Sequence, residues 1–119
     1  NQVEEFPLST LPLFGKNLPI SGGGYFRLYP YQLTAAAIRR LHQRDQQPYI
    51  FYLHPWEIDP DQPRVPNAGR LSNFRHYTNL KRCLPRLERM LQDFNFGTVS
   101  ESLASYEIHQ SLDLQQYGA

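Results

Sequence analysis

The chain is 119 residues long, 40% apolar and 19% charged, which points to one compact domain rather than an unstructured tail or a membrane segment. Cationic and acidic side chains nearly balance at a net charge of +1, so no global field draws the chain to nucleic acid or anionic lipid. No apolar run approaches the roughly 20 residues of a spanning helix, and a solitary Cys83 leaves no internal disulfide and no cysteine-based metal site.

The chain starts without Met and without a basic-then-apolar leader, so it is expected to be a mature product or a piece of something longer. Residues 3–9 read as an edge strand broken by Pro7, and 10–20, with Pro12, Gly15 and Pro19, as an ordered loop. Pro30 opens a helix over about 30–44, with Leu33, Ala37, Ile38 and Leu41 at helical spacing on one face. Residues 49–53 (YIFYL) are continuously apolar and β-prone, as in a strand covered on both faces of a parallel sheet.

Pro55, Pro60, Pro63 and Pro66 then stiffen a long irregular loop, 55–69. Leu80, Leu84, Leu87, Leu91 and Phe94 mark a second amphipathic helix, which Pro85 kinks or restarts. Cys83 falls in that stripe as a small buried hydrophobe. A short strand near 94–99 and a helix capped by Ser100 follow, and 109–119 is a weakly patterned tail. The alternation predicts α/β, a partial (β/α)-barrel-like piece with a few mainly parallel strands and two to three helices, in a single domain over 1–119.

Three groups of residues invite a chemical reading. His54 ends the best strand, and in parallel α/β folds the carboxyl ends of strands carry the reactive groups. Its ordinary pKa suits proton transfer near neutrality, although a histidine that merely hydrogen-bonds its loop fits the position too. Gly22-Gly23-Gly24 permits close backbone approach, either to a ligand or in a tight turn packed by Tyr25 and Phe26, and it matches no nucleotide-binding loop. Glu57, Asp59 and Asp61 alternate along an extended segment, which suits a solvated loop better than a chelating pair. The histidines at 42, 54, 76 and 109 lack metal-ligand spacing. The segment NFRHYTN reads as a cap on the second long helix.

Taken together, EFPLSTLPLFGKNLPISGGGYFRLYPY, FYLHPWEIDPDQPRVP and FRHYTNL resemble the carboxyl-terminal region of NodB-type polysaccharide deacetylases, in the bacterial branch associated with exosortase and exopolysaccharide clusters. The resemblance spans roughly residues 3–103. It implies a distorted (β/α) barrel that hydrolyses N-acetyl groups on a glycan with a divalent metal, usually zinc, held by one Asp and two His, and with an aspartate as base. Leu53-His54 resembles the family's last motif, which makes His54 the general acid. The family's Asp-Asp and His-x-x-x-His motifs are absent from the sequence, so no cofactor is expected in this chain and the isolated chain is expected to be inactive.

The implied partners are therefore a polysaccharide substrate and an amino-terminal catalytic portion of the same protein, with self-association through an exposed sheet edge. Nucleic acid and a membrane span are not expected, and the compartment stays open between cytoplasm and envelope. Trp56 and Tyr25 are candidates for stacking on sugar rings, Arg27 for a polar contact to substrate or base, and Gly23 and Gly24 for close approach of the glycan. A non-catalytic glycan-binding or interaction module appended to a deacetylase is the alternative.

Overall fold

A computed structural model describes residues 5–105 of the chain. The first described strands are β1 (Thr10–Leu13) and β2 (Lys16–Pro19), an antiparallel hairpin in which Leu13 faces Lys16. Phe14 and Gly15 turn it, both at positive φ (50° and 73°), which suits the right-handed twist of a two-residue hairpin. This corrects the loop expected over 10–20, because the turn at 14–15 lets two proline-bearing edge segments pair with each other.

Helix α1 (Gly23–Leu28) follows, then α2 (Tyr31–Arg44), a 3-10 turn (Pro55–Ile58), α3 (Arg70–Tyr77) and α4 (Leu80–Asp93). The chain is helical again from 99 to 105. Thr98, not Ser100, caps that segment: its hydroxyl accepts from the Glu101 amide, and Glu101 accepts from the Thr98 amide and hydroxyl. Residues 94–98 carry no strand. The expected tail from 109 to 119 lies outside the described residues.

The α/β class holds, but the mainly parallel strands do not. The paired sheet has two antiparallel strands, and the described helices outnumber the two or three expected. Residues 49–53 form one parallel bridge, Tyr52 with Gly22, rather than a strand. Tyr52 donates its amide to the Ser21 carbonyl and accepts from the Gly23 amide, while the Ile50 amide donates to the Ser9 hydroxyl. Pairing runs along one edge alone among the described residues, so the apolar run lacks the second neighbour that a central strand needs.

The core lies between α1, α2 and α4, where Phe26, Tyr31, Ala35, Ile38, Cys83 and Met90 are buried and Phe51 and Leu53 pack against them. Full burial of Phe26, Ile38 or Met90 contributes about 1.5–3 kcal/mol each. Along α4 the buried stripe is Leu80, Cys83 and Met90, with Leu87 partly buried beside them; Leu84 and Leu91 face outward. That stripe is rotated from the leucine-only one toward Cys83 and Met90, which join Phe26 of α1 and Ile38 of α2 in the core. Pro85 sits inside a helix that continues through it. Likewise on α2, Ala37, Ile38 and Leu41 are buried and Leu33 is exposed. Cys83 is fully buried, and burial pushes its thiol up to about 11.

Candidate functional site

His54 precedes the 3-10 turn, with Pro55 as its first residue. The turn is closed by a reciprocal cap: Glu57 reaches back to the His54 amide at 3.0 Å, and the His54 carbonyl accepts from the Glu57 amide at 2.9 Å. The same Glu57 oxygen lies 3.3 Å from His54 Nδ1. With the proton on Nδ1, the ring donates to the carboxylate and Nε2 carries the free lone pair. The His54 side chain is 57% exposed, whereas Glu57 is 2% exposed.

Glu57 is buried against a charge. Arg27, also 2% exposed, brings Nε and Nη2 to 3.2 Å from the other Glu57 oxygen. The remaining donors of Arg27 reach backbone carbonyls: Nη1 to His76 at 3.1 Å and to Thr78 at 2.6 Å, and Nη2 to Arg75 at 3.1 Å. Those carbonyls close the carboxyl end of α3, where helical partners run out and a cation is favoured. One arginine therefore ties α1, the His54 turn and α3 together. Among the described residues no buried side-chain N or O atom lacks a partner.

Backbone detail makes room for this knot. A Cβ on Gly23 would sit 2.3 Å from the Glu57 carboxylate, so a side chain there would expel the acid. Asn79, at φ 56°, opens α4 and donates to the Arg27 carbonyl at 2.9 Å. Arg86 donates to the carbonyls of Phe26, Arg27 and Tyr29, closing the end of α1.

Above the knot, aromatic rings adjoin in series. Tyr52 meets His54 edge-on at 5.9 Å, His54 lies 5.7 Å from Trp56, and Trp56 stacks on His76 at 4.0 Å and 12°. The Arg27 guanidinium sits 5.3 Å from the Trp56 ring. Gln62 locks the loop by donating to the carbonyls of Trp56 and Asp59, while its own oxygen lies 2.8 Å from His76 Nε2.

The residues proposed from the sequence thus fall into two sets. His54, Trp56, Arg27 and Gly23 meet around Glu57. Trp56 is half-buried with His76 on its ring, and every donor direction of Arg27 is engaged inside the chain. Tyr25 and Gly24 are exposed and line a cleft between α1 and α3, away from the His54 ring, whose wall Arg27 also reaches. Glu57 is the residue that reading from sequence alone missed. It is not part of a solvated acidic loop like Asp59 and Asp61; its signal was the spacing of a carboxylate three residues after a capping position, ahead of a proline at the first turn. No local signal marks Gln62 or His76, which act through contacts across 14 residues.

Among the described residues no three His, Cys, Asp or Glu side chains converge as a metal would require. A model of the family described as a domain of unknown function, DUF3473, matches residues 1–104. The chain belongs to that family. No curated protein and no solved structure matches it. No helix among the described residues is long and apolar enough to cross a membrane.

Proposed function

We propose that this chain is the carboxyl-terminal portion of a metal-dependent polysaccharide deacetylase, hydrolysing N-acetyl groups on an exopolysaccharide glycan, and that His54 is its general acid. What carries the reading is the Nδ1 contact of exposed His54 with the buried Glu57 carboxylate. In amide hydrolysis the C–N bond breaks as the nitrogen gains a proton. Protonated His54 supplies that proton from Nε2, while Glu57 keeps Nδ1 protonated and the ring aimed outward. Arg27 acts one step back, holding Glu57 in place.

The described residues do not fit a divalent metal, since both Glu57 oxygens are already engaged by Arg27 and His54. The reading therefore assigns the metal and the base to an amino-terminal portion of the same protein. The edge of residues 49–53 that has no partner among the described residues is where a strand of that portion, or a second copy, would add.

The test is His54→Ala in the intact protein, followed by acetate release from an N-acetylated oligosaccharide. The rate should fall by about two to four powers of ten with thermal unfolding unchanged. Parental activity in the variant would end the assignment. A second reading, a non-catalytic glycan-binding module appended to a deacetylase, is favoured by the ring series Tyr52, His54, Trp56 and His76. It predicts glycan binding that His54→Ala weakens, with no loss of turnover.

A further inference from the structure

We infer that the exposed face of α3 is a subsite for a carboxylate-bearing stretch of glycan, with Arg75 as the residue that selects the charge; the inference rests on the glycan reading above. Two clefts run along this helix. One, of about 470 Å³, lies between α1 and α3 and is lined by Tyr25, Leu71, Phe74 and Arg75. The other, of about 380 Å³, is lined by Trp56, Leu71, Arg75 and His76. Leu71 and Arg75 line both, so the two adjoin as one open surface groove with Arg75 between them.

That groove ends beside the proposed acid, because Trp56 is the ring next to His54. Helix α3 has eight residues, a length of about 12 Å at helical rise, which accommodates more than one pyranose ring. Tyr25, Leu71 and Phe74 offer apolar surface suited to the C–H faces of sugars.

Charge decides the class of sugar. Neither cleft is lined by a carboxylate, while α3 carries Arg70, Arg75 and His76 and no acid. Arg75 is exposed and takes part in none of the ion pairs among the described residues. Its backbone is held, since its carbonyl accepts from Arg27. An apolar protein segment laid in the groove would strip water from an unpaired guanidinium, which is unfavourable. A uronate carboxylate would instead meet it in a two-pronged charge-assisted contact.

The experiment compares a hyaluronan hexasaccharide with chitohexaose by calorimetric titration of the intact protein. Both probes carry N-acetylglucosamine, and only the first carries carboxylates. Hyaluronan should bind about tenfold or more tightly than chitohexaose at low salt, and added salt should erode the difference. Arg75→Gln should abolish the preference with melting temperature unchanged, because the backbone carbonyl that Arg27 uses is retained. Equal affinity for the two probes, binding of neither, or an undiminished preference in Arg75→Gln overturns the inference. Affinity is read here rather than turnover. Charge-selective binding with unaltered activity in His54→Ala would sink the general-acid reading and leave the subsite standing.

Discussion

Helices α3 and α4 follow one another with only Thr78 and Asn79 between them, yet they are held to the chain in opposite ways. Helix α4 buries Leu80, Cys83 and Met90, the last two in one cluster with residues of α1 and α2. Helix α3 has no buried residue at all. Its position comes from the Arg75 and His76 carbonyls on Arg27, from Tyr77, whose hydroxyl accepts from the Val65 amide, and from Asn73, which donates to the Ala68 carbonyl. Apolar packing is spread over many contacts, so it tolerates the loss of any one. A helix with no buried side chain, held by a few polar contacts of which one buried guanidinium supplies three, depends far more on that group. The turn after His54 combines the two: Leu53 and Ile58 pack against the apolar core, while Glu57 is tied to Arg27 and leaves the His54 ring exposed.

Removing the guanidinium should break this contrast most strongly. Arg27→Met leaves Glu57 buried without its counter-charge and three carbonyls without donors, and should cost about 3–5 kcal/mol in urea unfolding. Native-state hydrogen exchange should show the loss concentrated in α3 and residues 54–62. A cost below about 1 kcal/mol, within the range of an exposed ion pair, would mean that the knot does not hold this region.

In the apolar half, Met90→Ala should cost about 2–4 kcal/mol through the cavity it leaves. Its exchange signature should centre on α2 and α4 and spare the Asn73 and Thr78 amides. The same pattern from both variants would show that the two regions unfold as one.

Adjacent glycines sharpen the comparison at finer scale. Gly23→Ala, driven against the Glu57 carboxylate, should destabilise by about 1–3 kcal/mol. Gly24→Ala meets nothing within 4 Å and should stabilise by up to about 1 kcal/mol through helix propensity. Equal effects in the urea midpoint would rule out the steric account.

A last effect appears only in alkali. Burial first, and then the 2.6 Å hydrogen bond to Asp93, raise the Tyr31 phenol to about 12 from 10.0. The folded chain thus holds a proton that the unfolded chain releases, and stability should fall as pH rises from 10 to 12. Tyr31→Phe should flatten part of that slope in melts taken across the window.

How far the site could be read in advance follows from the range of the forces involved. The Pro30 start and the 3.6-residue spacing of Ala37, Ile38 and Leu41 state α2 within a dozen positions, because helix formation and one-sided burial are local patterns. Helix α4 is legible in the same way, although its buried face turned toward Cys83 and Met90 once a partner was fixed. The hairpin was hidden by its prolines, and residues 49–53 promised a central strand that a single neighbouring segment could not complete.

By itself, then, the sequence determined α2 and α4, the proline-stiffened loop after His54, and a histidine at the end of an apolar run, but not α1 or α3. The tertiary structure alone decided what stands behind that histidine. Arg27 meets Glu57 across 30 positions and the Thr78 carbonyl across 51. Such contacts leave no periodic trace in the chain, because a buried ion pair depends on which segments meet and not on the spacing within either of them.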